Sequence, residues 1–217
     1  MHNETKRMTE SAMLLSLAVV LDVVSKMFIP PMTFGGQVTL ASMLPVVLIG
    51  YRYGIRWGMA SGFCYGLIQM ALGGGTVAAA FQPGFFGEGR MILNAFIMCA
   101  LDYMLAYSLL GLAGVFRNVI VTPSLALMLG TVTAMTARYL AHVTSGYILF
   151  SSWAVWFFTQ DGFPAWGAVL VETLSPEMLG LAYSVVYNGM YMVPETILTA
   201  IAAALIARVR HIVTKIR

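Results

Sequence analysis

The chain contains apolar stretches that are long enough to cross a membrane and carry almost no charge. Residues 94–114, NAFIMCALDYMLAYSLLGLAG, hold a single carboxylate, Asp102. About 20 mostly apolar residues span the hydrocarbon core as a helix. Because an unpaired charge at that depth is costly, an ionisable group there usually has a functional role. The stretch therefore predicts a membrane helix with a functional acid.

The composition places the whole chain in the same class. Of its 217 residues, 59% are hydrophobic and 10% are charged, and the mean hydropathy is +0.83. Soluble domains contain about 25% charged residues, so we predict an integral membrane protein without a separate soluble domain. The basic residues are scattered singly, which favours a role in membrane orientation over nucleic-acid binding.

The apolar runs and their breakers predict an all-α membrane protein, a bundle of six transmembrane helices in one domain. The predicted helices cover residues of about 9–29, 38–51, 55–73, 91–115, 121–150 and 181–207. The three longer connections, at about 30–37, 73–90 and 151–180, are predicted to face outward. The last connection combines tryptophans with acidic residues, which is typical of an interfacial cap.

The basic residues predict the orientation of this bundle. With six spans, most of them fall on the side of both termini: Lys6, Arg7, Arg52, Arg56, Arg117, Arg208, Arg210, Lys215 and Arg217. The exceptions are Lys26, Arg90 and Arg138. Because cytoplasmic loops are enriched in Lys and Arg, both termini are expected in the cytoplasm.

Small residues recur at helical spacing in two of the predicted helices. Glycines occupy every fourth position from Gly54 to Gly66, which predicts close approach of another backbone. Ala12 and Ser16 form a second small pair in the first helix. This pair is compatible with packing inside the bundle and with docking of a partner helix, and its spacing alone leaves both open.

Polar residues cluster at membrane depth on the last three predicted helices: Asp102, Tyr103, Arg138, His142, Tyr183, Asn188 and Glu195. From the rise of 1.5 Å per residue, Asp102 and Arg138 lie roughly 16 and 18 Å below the outer ends of their helices. We expect these two to form an ion pair, with Glu195 sharing Arg138 or protonated. The pair either locks the bundle or belongs to a polar pocket open to the outside, and the pocket is favoured.

Aromatic residues extend this hypothesis. Tyr65, Phe150 and Tyr187 add flat surfaces beside the predicted carboxylate. A carboxylate and aromatic faces together suit a flat organic cation, which is held by an ion pair and by cation–π attraction.

Five stretches carry a resemblance to a known family: TESAMLLSLA, LDYMLAYSLLGLAGVFRN, RYLAHVTSGYILF, AWGAV and AYSVVYNG. In these stretches the chain resembles the substrate-binding S components of energy-coupling factor (ECF) vitamin transporters, and within them the thiamine-specific branch. The resemblance implies a multi-pass protein of a bacterial-type cell membrane with a high-affinity vitamin pocket near the outer face. It also implies partners, namely a transmembrane coupling subunit and two ATPase subunits, and neither a cofactor nor a metal.

The resemblance also implies roles for individual residues. Asp102–Tyr103 occupies the place of a family Glu–Tyr pair, and Arg138 with His142 occupies the place of a Lys and a His four residues apart. In the same way, Tyr183 and Asn188 match ligand-binding positions of the sixth helix, and Ala12 and Ser16 match the small residues that dock on the coupling subunit.

The chain departs from the family at three tryptophans. Gly36, Tyr65 and Phe150 stand where the family stacks its ligand on Trp, and the 151–180 connection is longer by about twenty residues. One of its tryptophans, Trp153, Trp156 or Trp166, is a candidate substitute. Thiamine is therefore the expected ligand, and a thiamine precursor or another vitamin remains an alternative.

Two other functional classes are compatible with particular residues. Ser145 and His142 share a helix face, as an intramembrane hydrolase would require, but no nucleophile elbow accompanies them. Glu195 would suit a stand-alone proton-coupled carrier. The chain has no G-x-x-x-x-G-K-[ST] phosphate loop, so we expect no enzymatic activity and ATP hydrolysis only by partners.

Overall fold

The computed structural model describes residues 2–32, 34, 36–86, 91–209 and 212–214. Four of the basic residues used to predict the orientation, Arg90, Arg210, Lys215 and Arg217, lie outside these ranges, as do residues 33, 35 and 87–90 of the predicted outer connections. The described residues form an all-helical structure.

Nine longer helical elements and one 3₁₀ turn, Ser151–Trp153, follow one another along the described chain. The longer elements are α1 (His2–Phe28), α2 (Leu44–Tyr53), α3 (Ile55–Leu72), α4 (Gly74–Ala80), α5 (Met91–Gly114), α6 (Pro123–Phe150), α7 (Ala154–Thr159), α8 (Trp166–Thr173) and α9 (Pro176–Ile206). Three of them, α1, α5 and α9, are long and apolar enough to cross a membrane, and α3 with α4 makes a fourth span if this pair, bent by 78°, counts as one.

Helix α5 changes its winding three times. It is an α-helix from Met91 to Met98, a π-helix from Cys99 to Leu105, an α-helix again from Ala106 to Ser108, and a 3₁₀ helix from Leu109 to Gly114. π segments are rare and are often found at functional sites. Here the π segment contains Asp102, so the winding sets the direction of that side chain.

Helices α3 and α5 pack backbone against backbone through the predicted glycine stripe. A Cβ added at Gly58 would lie 2.5 Å from the Gly50 Cα and 2.8 Å from the Gly111 Cα. A Cβ at Gly62 would overlap the Tyr107 carbonyl oxygen. The predicted close approach of the backbones is therefore observed, and it leaves no room for a residue larger than glycine at these positions.

Helices α6 and α9 run antiparallel and are joined by side chains. Ser124 Oγ donates to the Ala204 carbonyl (2.7 Å), and Ser184 Oγ donates to the Val143 carbonyl (2.7 Å). Such bonds satisfy polar groups where lipid offers no water. The polar residues predicted on these two helices consequently face each other inside the bundle.

Several helix limits differ from the sequence prediction. Helix α2 begins at Leu44 instead of 38, with Pro45 in its first turn, because residues before it are held by side-chain contacts to other elements. One of these is the hydrogen bond from the Leu40 N–H to Ser25 Oγ (2.8 Å). The 151–180 connection contains α7 and α8, and α9 begins at Pro176, with Ser175 capping it.

Candidate ligand-binding site

A cavity of about 740 Å³ lies between α1, the 29–43 segment, α5, α6 and α9. Eight of the predicted ligand-binding residues line it: Asp102, Tyr103, Arg138, His142, Phe150, Tyr183, Asn188 and Glu195. The structure thus brings these residues together at one site, large enough for a vitamin-sized molecule. Their roles in binding remain a prediction.

Asp102 is paired with His142 across the cavity wall. Asp102 Oδ1 lies 3.0 Å from His142 Nδ1, and both side chains are partly accessible. The predicted Asp102–Arg138 pair was wrong, because the carboxylate bonds to His142, one turn beyond Arg138 on α6, and Arg138 pairs with Glu195 instead. The Asp102 carboxylate consequently faces the cavity with a histidine as its neighbour.

Arg138 belongs to a second, deeper ion pair. Its Nη1 lies 3.4 Å from Glu195 Oε2, and only 4% of Arg138 and 2% of Glu195 are exposed. Thr39 donates a hydrogen bond to the other Glu195 oxygen, and the guanidinium lies 4.7 Å from the centre of the Tyr107 ring. Glu195 therefore contacts Arg138 as predicted, but it does not share the guanidinium with Asp102, which pairs with His142.

A third charged pair comes from α1 and was missed from the sequence. Lys26 Nζ lies 2.6 Å from Asp22 Oδ2, and both residues line the cavity. The i,i+4 spacing of an acid and a base within an apolar helix indicates such a pair. Together the cavity holds three carboxylates and two permanent cations, so one negative charge is in excess when His142 is neutral.

Aromatic rings form one wall of the cavity. Tyr183, Tyr187 and Tyr191 follow at every fourth position of α9, and the Tyr183 and Tyr187 rings lie 5.6 Å apart with an angle of 33° between them. Tyr191 also donates a hydrogen bond to Asn188 Oδ1 (2.8 Å). Tyr191 was missed, although its spacing from Tyr187 indicates the shared face.

Tryptophans reach the cavity from the long connection before α9. Trp153 and Trp156 line the cavity, and their rings meet edge to face at 5.6 Å. Trp166 instead packs on Phe163 at 4.9 Å and does not line the cavity. Of the three candidate substitutes, two are therefore close enough to contact a ligand.

Tyr65, in contrast to the other eight predicted residues, does not line the cavity. The side chain is fully buried, accepts a hydrogen bond from Gln69 Nε2 (2.6 Å) and packs edge to face on Tyr107 at 5.3 Å. Tyr65 lies on the glycine face of α3, which is pressed against α5. It therefore supports Tyr107, which does line the cavity.

Gly36 has a geometric reason to be glycine. Its φ is +78°, and a Cβ there would overlap the Tyr191 ring. The Tyr191 ring thus occupies the space of a side chain at position 36. An aromatic face is present at this place, but it is supplied by α9.

The structure also shows the positions of the small-residue pair of α1 and of the serine considered for a hydrolase. Ala12 and Ser16 are exposed on α1, and Ser16 Oγ bonds only back to the Ala12 carbonyl (2.9 Å). Ser145 Oγ is buried without a hydrogen-bond partner in the described part of the chain, while His142 Nδ1 faces Asp102. Among the described residues, no group of three or more His, Cys, Asp or Glu is arranged to hold a metal ion.

Comparisons with known proteins agree with this architecture. A family model described as "Thiamine transporter protein (Thia_YuaJ)" matches residues 8–215. The chain is 30% identical over 209 residues to "Thiamine transporter ThiT" of Bacillus subtilis (strain 168), covering 92% of this chain and 89% of that protein. Its fold is similar to that of ThiT from Listeria monocytogenes, with a TM-score of 0.61, 18% identity and 97% coverage of both chains.

The family match spans nearly the whole chain, and the apolar helices agree with a protein that crosses the membrane several times. A transport role also agrees with a cavity built of paired charges and aromatic rings. This chain belongs to the thiamine transporter protein family, as a multi-pass membrane transport protein and not as an enzyme.

Proposed function

We propose that the chain captures thiamine from outside the cell in the cavity lined by Asp102. The observation that carries this proposal is the match of charge and shape. The cavity has one negative charge in excess and an aromatic wall, and thiamine is a monocation with two flat aromatic rings. An ion pair in a desolvated cavity is stronger than one in water, so a single uncompensated carboxylate supports tight binding.

The geometry supports separate roles around the ligand. Asp102, held by His142, faces the thiazolium ring, while Tyr103 and Phe150 lie along the adjacent wall. Tyr183 and Asn188 read the aminopyrimidine from α9. The Arg138–Glu195 pair is buried beneath them and shapes the cavity.

The proposed membrane arrangement has six spans, with both termini in the cytoplasm. Asp22 on α1 and Asn188 on α9 line the cavity, roughly 30 Å from the helix end nearest each terminus by the rise per residue. The cavity then opens at the outer face, where the 30–37 and 73–90 connections lie, while most of the basic residues remain inside.

Delivery is proposed to follow the S-component mechanism of ECF transporters. The exposed Ala12–Ser16 face of α1 docks on a transmembrane coupling subunit, and two ATPase subunits supply the energy. The rival, a stand-alone proton-coupled carrier using Glu195, is less well supported because both Glu195 oxygens already have protein partners. Thiamine uptake in cells that lack the ATPases would favour the rival.

Titration calorimetry on the purified protein tests the ligand. We expect thiamine to bind at micromolar concentration or tighter. Asp102→Asn should weaken binding at least roughly tenfold, the size of one charge-assisted contact. Glu172→Gln, which removes an exposed acid of α8, is the matched control and should bind like wild type.

Three outcomes would count against this assignment. The absence of heat at millimolar thiamine would reject it, and tighter binding of the isolated aminopyrimidine or thiazole precursor would reassign the ligand. Equal loss in the Asp102 and Glu172 variants would show an effect of net charge alone.

A further inference from the structure

A second cavity lies at the opposite end of α2 from the ligand cavity. It has a volume of about 370 Å³ and lies between the α2–α3 turn and the segment that follows α5. Met43, just before α2, lines the first cavity, and Tyr53, the last residue of α2, lines the second. The two sites are therefore separated by roughly 15 Å along this helix.

The second cavity contains two arginines and no acid. Arg56 and Arg117 line it together with Gly54 and Asn118. In the described part of the chain, neither arginine forms an ion pair with a carboxylate. The neighbouring Arg52, in contrast, is paired with Glu10 at 2.8 Å. The positive charge of this cavity is thus not compensated by the residues around it.

Arg117 is partly withdrawn from water. Its Nε atom is buried and has no hydrogen-bond partner among the described residues, and its Nη1 lies 2.9 Å from the place of a Cβ on Gly54. Burial lowers the pKa of the Arg117 guanidinium, because desolvation disfavours its charged form. A bound anion would offset that loss of hydration.

The backbone adds donors at the same place. Helix α3 has 18 residues, and its N-cap, Gly54, offers no side chain to cap it. The first N–H groups of a helix have no partner within the helix and favour anions. The planar guanidinium group adds paired N–H donors, which match the spacing of two phosphate oxygens.

We propose that this cavity binds a phosphate group through Arg56, Arg117 and the start of α3. In the proposed orientation it faces the cytoplasm, where two sources exist: the headgroup of an anionic lipid and a soluble phosphate compound. Basic pockets between membrane helices on this side are suited to anionic headgroups. The site is separate from the vitamin cavity, so it does not depend on the ligand bound there.

Binding to the delipidated, purified protein tests the proposal. The probes are dihexanoyl phosphatidylglycerol, dihexanoyl glycerol as its phosphate-free control, and inorganic pyrophosphate. We expect Arg56→Gln and Arg117→Gln each to lower the affinity for the phosphate-containing probe roughly tenfold. Arg117→Lys should retain more affinity than Arg117→Gln. Arg208→Gln, which removes an exposed arginine outside the cavity, is the matched control.

The outcomes distinguish an anionic lipid from a soluble phosphate compound as the source of the phosphate group. Binding of the phosphatidylglycerol but not of the pyrophosphate assigns a lipid, and the reverse assigns a soluble phosphate compound. If neither probe binds, or if Arg208→Gln weakens binding as much as the cavity variants, the proposal is overturned. Far-ultraviolet circular dichroism and gel filtration of each variant distinguish loss of the site from loss of the fold.

Discussion

The α3–α5 and α6–α9 interfaces of the bundle differ in the atoms that form the contact. At α3–α5, glycines bring the backbones into contact, so a Cβ at Gly62 would meet a carbonyl oxygen. At α6–α9, a Cβ at Gly146 would meet side-chain atoms instead, the Ser184 hydroxyl first and then Ser184 Cβ at 3.1 Å and Asn188 Nδ2 at 3.2 Å, and charged side chains lie between the helices. Backbone cannot move locally, whereas a side chain can rotate. The first interface therefore fixes α5 rigidly, and the second adapts.

The largest expected effect is at the buried charges of the adaptable interface. Arg138→Gln should lower the free energy of unfolding by about 3–5 kcal/mol, because it leaves Glu195 buried without its cation. The Arg138→Gln, Glu195→Gln double variant should recover much of this loss. Thermal unfolding of all four proteins in detergent gives the coupling between the two residues.

If the double variant lost as much stability as the sum of the two single variants, the pair would not act as a unit. Hydrogen bonds, and not the charged pair, would then be the polar contacts that hold α6 against α9.

The next effect tests the rigid interface. Gly62→Ala should cost about 3 kcal/mol, because its methyl group can be accommodated only if α3 and α5 separate. The control is Gly75→Ala in α4, where a Cβ would have no atom within 4 Å. It should be neutral or stabilising by up to about 1 kcal/mol. A Gly62 variant as stable as the Gly75 variant would show that α5 is free to shift.

The smallest effect measures how far the α6–α9 interface adapts. Gly146→Ala should cost about 1–2 kcal/mol, less than Gly62→Ala, because the Ser184 side chain can rotate away. In a Ser184→Ala background, which removes that hydroxyl, the same substitution should cost less. Equal costs in both backgrounds, measured by thermal unfolding, would place the obstacle in the backbone.

The sequence was sufficient for the class of fold and for predicting that eight polar and aromatic residues lie near one another. Apolar runs predicted the helices around Asp102, Arg138 and Asn188, because membrane depth follows from the number of residues along a helix. Periodicity also predicted the glycine face of α3. Eight of the predicted ligand-binding residues accordingly line one cavity.

The sequence was not sufficient for the partners of these residues. The Asp102–Arg138 pair failed because Arg138 and His142 lie only one turn apart, and depth along a helix does not determine which of two such neighbours a side chain faces. Tyr65 was predicted to contact the ligand because the sequence does not distinguish an aromatic residue that packs beside the glycine stripe from one that lines a cavity. Asp22 was missed because Lys26 neutralises it within one helix and leaves no isolated charge.

The π segment of α5 has a consequence for chain length. A π turn contains about one residue more than an α turn, so it amounts to an inserted residue between Met98 and Ala106. Deleting one residue there would let the helix rewind and would rotate the acid by roughly 100° relative to one flank. A relative with a gap at this place would carry the same aspartate in its alignment and point it towards the acyl chains.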